Sequence, residues 1–198
     1  MPQKTLRKII TYIATSADGY IARPDGNVDW LNRPRPAGNY GMAAFYRSID
    51  TILWGRKTYD LALEFEKQGI EGAAFDPKIQ HYAFSHHPPR TPARGVEFVR
   101  DSIPAFAKRL RAAPGKDIWM MGGAGLIGSF LDCGEIDEFI LHVIPILIGE
   151  GIPLVAPRHR EVPLSLRSSR RFADGVVRLH YSVDRPPVKE RKRPARRA

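Results

Sequence analysis

The sequence predicts an α/β fold: a mostly parallel central sheet, covered on both faces, with antiparallel edge strands at its C-terminal end. Three observations predict it. Strand-like and helix-like segments alternate from residue 7 to residue 147, the pattern of strands joined by crossover helices. The habit then changes: "LSLRSSRRF" (164–172) and "VVRLHYSVD" (176–184) flank "ADG" and read as a β-hairpin. Finally, 198 residues with 43% hydrophobic and 26% charged content suit one soluble domain with a core of ordinary size.

The elements follow in order. "RKIITYIAT" (7–15) is rich in Ile and Thr and reads as a buried strand. A long polar loop (16–39) follows, with D-G turns at 18–19 and 25–26. So long a loop in a compact domain is often functional. Met42, Phe45, Tyr46 and Ile49 recur at helical spacing, which predicts an amphipathic helix over 40–49. "DTILWG" (50–55) is a strand, and "RKTYDLALEFE" (56–66) a helix. "QHYAFS" (80–85) and "VEFVR" (96–100) are strands. "IPAFAKRLRA" (103–112) is a helix with Pro104 in its first turn, where a missing N–H costs little. "DIWMM" (117–121) is a strand, "GLIGSFLDC" (125–133) a helix and "DEFILHVIPIL" (137–147) a strand.

Charge is unevenly placed. The net charge is +10, and the segment "RPPVKERKRPARRA" (185–198) holds seven Lys/Arg and one Glu, or +6, leaving +4 for residues 1–184. That Pro-rich, apolar-poor segment reads as a disordered basic tail behind a domain at 1–184. It is either simply solvated or a contact for nucleic acid or a membrane surface. No apolar run approaches the roughly 20 residues of a bilayer span. The single cysteine, Cys133, excludes an intrachain disulfide and fits a reducing, cytoplasmic setting; on its apolar helix face it reads as a buried small hydrophobe. His86 and His87 are adjacent with no third ligand at metal spacing, so no metal site is expected.

"WMMGGAGLIGSFL" (119–131) contains a literal G-x-G-x-x-G at Gly123, Gly125 and Gly128. A dinucleotide fingerprint also needs an acidic residue about 20 positions on, at the end of the next strand. Asp137 and Glu138 stand at the start of that strand instead. What survives is mechanical. Gly122 and Gly123 allow close approach of backbone to a ligand, and residues 124–127 offer amides at a helix start, which favour phosphate. A tight corner with nothing bound is the other reading of this stretch alone. The other strand ends favour a ligand. If the strands are parallel, Arg56, Lys57, Thr58, Ser85, His86, Arg100 and the 122–127 amides share one edge, a rim suited to a polyanionic nucleotide.

The segments "SADGYIA" (16–22), "FYRSIDTILWGRKTYD" (45–60), "IWMMGGAGLIGSFL" (118–131) and "IDEFILHVIPILIGEGIPL" (136–154), in this order, resemble the dihydrofolate reductase-like family. The branch is that of the C-terminal reductase domain of bifunctional riboflavin-biosynthesis proteins, and the likeness covers nearly all of 8–184. It implies the three-layer dihydrofolate reductase-like fold, NADPH as cofactor, reduction of a small heterocycle, and a homodimer. It implies that Gly55, Arg56, Lys57 and Thr58 grip the cofactor phosphates. Ser85 and His86 would lie beside the 2′-phosphate and Arg100 near the adenine. Gly122–Gly123 would be a cis peptide, with Ala124, Gly125, Leu126 and Ile127 facing the pyrophosphate. Ala14, Thr15 and Ile21 would line the nicotinamide.

The substrate side departs from the folate pattern. Gly41 falls where folate reductases carry an acidic residue, and Leu141 falls where they carry a hydroxyl, so a true dihydrofolate reductase is not expected. Tyr40, Gly41, Phe45 and Leu141 are the candidate pocket residues, with Tyr46 either at the pocket or in the core. No H-x-E…C-x-x-C zinc signature is present, so no fused deaminase is expected. Asp18 is the candidate catalytic residue, to orient substrate or relay a proton; the competing reading is a turn Asp before Gly19. Two alternatives to a reductase stay open: a nucleotide-binding module without turnover, and a nucleic-acid-associated protein acting through its tail.

Overall fold

The computed structural model describes residues 6–69 and 75–184. Strand β1 (Ile9–Ser16) lies inside an eight-stranded sheet built with β3 (Ile49–Gly55), β4 (Gln80–Phe84), β5 (Val96–Val99), β6 (Asp117–Gly122), β7 (Glu138–Ile144), β9 (Leu164–Arg171) and β10 (Val177–Val183). The order across the sheet is β5-β4-β3-β6-β1-β7-β10-β9. The first six neighbours pair in parallel. The hairpin β9–β10 adds two antiparallel strands beside β7. Parallel pairing aims all six carboxyl ends at one edge.

Both faces are covered, as the near-continuous apolar strands require. Side chains alternate along each strand, so neighbours go to opposite cores. Ile9, Leu53, Ile118 and Met120 pack with helices α3 (Ile103–Ala112) and α4 (Ala124–Asp132) through Phe106, Leu110, Ile127 and Phe130. Ile10, Tyr12, Ile52, Trp54 and Trp119 pack with helices α1 (Met42–Ser48) and α2 (Arg56–Lys67) through Phe45 and Tyr59. The amino ends of the strands are tied by Arg7, which is 5% exposed. Its guanidinium donates to Asp50, to Thr51 Oγ1 at 2.7 Å, and to the Lys116 and Leu110 carbonyls at 2.5 and 3.3 Å.

Four local expectations are corrected. The first helix starts at Met42, because Gly38, Asn39, Tyr40 and Gly41 all take positive φ (82°, 42°, 57° and 93°) and form a left-handed approach instead. The polar loop at 16–39 carries a short strand, β2 (Tyr20–Ala22), paired with β8 (Ile152–Pro153). Strand β7 stops at Ile144 because Pro145 has no N–H for the ladder. Cys133 is exposed, since it caps α4 after the last helical turn. The basic segment 185–198 lies outside the described residues. Among the described residues no helix is long and apolar enough to cross a membrane.

Candidate functional site

The sheet's shared carboxyl edge carries a cleft of about 760 Å³. Strand ends β3, β4 and β5 supply Gly55 and Arg56, Ser85 and His86, and Arg100; the first two turns of α4 supply Gly125, Leu126 and Ser129. Of the rim expected from the strand ends, Arg56, Ser85, Arg100 and the start of α4 are brought together, and Thr58 is not among the residues lining the cleft. Its cations are partly engaged: Arg56 holds Asp60 at 2.8 Å and donates to the His87 carbonyl, and Asp101, a carboxylate in the cleft wall, is held by Arg109 at 2.9 Å. Ser85 Oγ accepts the His87 amide at 3.0 Å and closes the turn after β4. Lys57 is exposed on α2 and does not line the cleft.

At α4 the peptide Gly122–Gly123 is cis, as the resemblance implies. The absence of side chains here is a packing requirement. A Cβ on Gly55 would stand 3.0 Å from the Gly122 oxygen and the Gly123 nitrogen, and one on Gly123 would stand 3.3 Å from Thr58 Oγ1. A Cβ on Gly125 would meet nothing within 4 Å, so the cleft is open at that turn. The Ile127 amide donates to the Gly123 carbonyl at 3.1 Å and the Ile127 side chain is fully buried. The amides able to face an anion are therefore those of Ala124, Gly125 and Leu126, one fewer than expected. Ile21 Cδ1 reaches the same corner, 4.0 Å from the place of a Gly123 Cβ.

Ala14 and Thr15, near the end of β1, lie on opposite faces. Ala14 pairs with His142 and Thr15 with Val143; Thr15 is 4% exposed. Asp18 is solvent-exposed and accepts the Ile148 and Gly149 amides at 3.1 and 2.8 Å. A hydrogen bond from Ser16, followed by these amides, holds its carboxyl below the usual range. Its visible task is to fasten the loop after β1 to the loop after β7, and an ionised carboxylate so held is a poor proton donor.

On the α1 side, Phe45 stacks on Tyr12 with ring centroids 4.2 Å apart. Tyr40 closes the group, donating to Asp174 at 2.6 Å, and Arg33 stands 3.5 Å from the same carboxylate. Tyr46 turns away to Asp76 at 3.2 Å and belongs to the α1–α2 core. Leu141 is corrected: it packs on the α3–α4 core and lines an apolar groove with Leu131 and Leu154. One position along, His142 faces Tyr12 at 4.6 Å between centroids. A one-residue step along a strand changes the face. The alternation of "EFILHVI" against Tyr12 and Ala14 was the available signal, and it points to His142.

His142 is 3% exposed and its Nε2 has no partner among the described residues. Burial, with the nearby Arg178 cation opposing protonation, pushes it down to about 4. An unfolded imidazole titrates near 6.5. Below that pH the unfolded chain takes a proton that the folded one refuses, so stability falls as pH falls, until pH nears 4. Between pH 7 and 5 this residue alone is expected to remove about 2 kcal/mol. Urea denaturation at both pH values checks it: wild type should lose about that much more than His142→Gln, and equal losses would contradict the assignment.

Comparisons with known proteins place this geometry. The family described as the RibD C-terminal domain matches residues 7–178. The chain belongs to the RibD C-terminal domain family. The match takes in every site residue named above. Among relatives of this RibD-type domain, the uncharacterized protein YwjB of Bacillus subtilis (strain 168) is 38% identical over 175 residues, covering 88% of this chain and 97% of its own. A crystal structure from Shewanella sp. PV-4, of a protein assigned to riboflavin biosynthesis, has a TM-score of 0.78 at 27% identity, covering 90% of this chain and 99% of that one. Dihydrofolate reductase from Enterococcus faecalis, complexed with NADP(H), has a TM-score of 0.61 at 15% identity, covering 90% and 97%. That likeness shows the RibD C-terminal domain here to have the dihydrofolate reductase-like fold.

Proposed function

We propose that the protein is an NADPH-dependent oxidoreductase that reduces a small heterocycle, pyrimidine- or pterin-like, by hydride transfer. The observation that carries this is the cleft at the carboxyl edge of the sheet, where cations, hydroxyls and helix-start amides converge. Arg56, Ser85, Arg100 and the start of α4 line one cleft, and Thr58 and Ile21 close on Gly123 at the α4 start beside it. The chemistry of the residues suits the cofactor: helix-start amides and the Arg56 and Arg100 cations favour phosphates, and Gly125 leaves space for close approach. The Enterococcus faecalis enzyme, which shares this fold, is complexed with NADP(H), and that supports the same choice.

When bound, NADPH supplies the hydride from its nicotinamide ring. The chain's own part is placement. The Ala124, Gly125 and Leu126 amides would hold the pyrophosphate, and Ser85 and Arg100 would favour a 2′-phosphate. Ala14 and Ile21 would supply apolar contact to the reacting ring. Holding two reactants in register removes much of the entropy of a bimolecular step.

NADPH is expected to bind at least tenfold more tightly than NADH, since each well-placed charge-assisted bond to the 2′-phosphate contributes about 1.5–3 kcal/mol. Calorimetric titration with both cofactors measures it; equal affinities, or none, would sink the reading. The engagement of Asp18 by the 148–149 amides favours a second reading, a nucleotide-binding module without turnover. NADPH oxidation against a panel of heterocycles separates the two.

A further inference from the structure

Positive charge is concentrated at one end of the chain and along one edge of the sheet. Residues 164–198 hold eleven Lys/Arg against three Asp/Glu, or +8, and the first 163 residues sum to +2. Nine of the eleven cations are arginine. The described part of this run is the C-terminal hairpin. Strand β9 is a free edge of the eight-stranded sheet, and all eight of its residues are exposed. It reads LSLRSSRR, with Arg167, Arg170 and Arg171 and no carboxylate. Among the described residues no carboxylate forms an ion pair with any of the three.

Two of these arginines are held in place with their charge intact. Arg167 Nε donates to Ser182 Oγ at 2.9 Å, and the Arg170 guanidinium lies over Phe172 at 4.9 Å. The carboxylates of the hairpin are engaged by other groups: Asp174 by Tyr40 and Arg33, and Asp184 by Ser165 Oγ at 2.8 Å. The segment 185–198, itself +6, is joined to the fold beside this strand. Val183 pairs with Leu164, and the Asp184 amide donates to the Pro163 carbonyl at 2.9 Å. Its cations are therefore tethered at the start of β9. Charges on an edge strand also deter a second strand, but that task needs no further cationic segment at the same place. A second β9 docked edge to edge would bring two arginine-bearing strands together with no carboxylate on either.

We propose that the β9 edge, continued by the segment 185–198, binds the phosphate backbone of double-stranded nucleic acid without reading its sequence. The strand is about 27 Å long at eight residues, most of one duplex turn of about 34 Å. Arginine forks and the Ser165, Ser168 and Ser169 hydroxyls are the donors that phosphodiester oxygens take. Single strands are held by bases stacked on open aromatic rings, whereas the two rings here, Phe172 and Tyr181, are half-buried. A lipid surface draws a polybasic segment by charge alone, for which lysine serves as well; the preference for arginine and the hydroxyls on β9 favour the duplex. The surface is separate from the cofactor cleft and does not depend on the cofactor reading.

The test is fluorescence anisotropy with a labelled duplex DNA of arbitrary sequence, on the full chain, at about 50 and 200 mM salt. With four or more phosphate contacts the affinity should fall roughly a hundredfold or more between the two conditions. Duplexes of unrelated sequence should bind within about threefold of one another. Replacing Arg167, Arg170 and Arg171 together by Gln should weaken binding at the lower salt about tenfold or more and reduce the salt slope by about 3. Its melting temperature should be unchanged, since all three side chains are exposed. Truncation after Asp184 should weaken binding further. Duplex RNA as competitor tells which duplex is preferred, and vesicles containing phosphatidylserine are the control for a lipid surface. Absent or salt-insensitive binding, unchanged affinity in the triple variant, or preference for the vesicles over the duplex would overturn the proposal. If the triple variant melts early, Arg167→Glu and Arg171→Glu take its place, each expected to weaken binding about threefold or more; unchanged affinity in both would overturn it equally.

Discussion

The Gly125→Leu variant is expected to fold like the wild type and to bind NADPH about a hundredfold more weakly. Gly125 lies in the first turn of α4 with open space where its Cβ would be, and that space is the cleft. A leucine there covers the Ala124–Leu126 amides with hydrocarbon. Losing two charge-assisted bonds at about 1.5–3 kcal/mol each amounts to a hundredfold or more. The helix itself gains, since Gly is about 0.8–1 kcal/mol worse than the best helix formers. Fluorescence titration with NADPH and a thermal melt are read together. Unchanged affinity would remove the cofactor from α4. A lowered melting point would show that the space is not free.

Arg7→Ala is expected to destabilise the fold by about 3 kcal/mol. The guanidinium joins β1, β3, α3 and the start of β6 through Asp50, Thr51 and the Leu110 and Lys116 carbonyls. Removing one partner of a buried pair leaves the other uncompensated, at a cost of about 3–5 kcal/mol. The lower end applies because Asp50 is 33% exposed, and because it keeps the Lys116 amide at 2.8 Å. Gly115 closes the same corner: a Cβ there would stand 2.6 Å from Asp50 Oδ2. Urea denaturation measures the loss, and a value below about 1 kcal/mol would mean that water replaces the guanidinium without penalty. Since the pair sits at the amino ends of the strands, NADPH affinity of the folded fraction should be unaffected.

Much of this was legible along the chain. Four of the six parallel strands are short apolar runs that end at or just before Gly55, Ser85, Arg100 and Gly122, and parallel pairing was enough to gather those ends on one edge. What was not legible depends on pairing across long distances. Whether Leu141 or His142 faces Tyr12 is decided by the register of β7 on β1, which a resemblance read one residue out reverses. Arg178 comes to stand opposite His142 only because the hairpin docks antiparallel on β7. Strands β2 and β8, of three and two residues, are too short for any periodicity. The Tyr40 and Gly41 conformations (φ 57° and 93°) interrupt a helical pattern that otherwise continues through them.

The position of β1 has a consequence during synthesis. Its two partners, β6 and β7, are made more than a hundred residues later. At about 5–20 residues per second, the ribosome takes roughly five seconds or longer to supply the first of them. Throughout that interval "IITYIAT", apolar and strongly β-forming, has no edge to join. Such a segment is the kind that pairs with other nascent chains. The strand that ends deep in the finished sheet, flanked on both sides, is therefore the one that most needs shielding while the protein is being made.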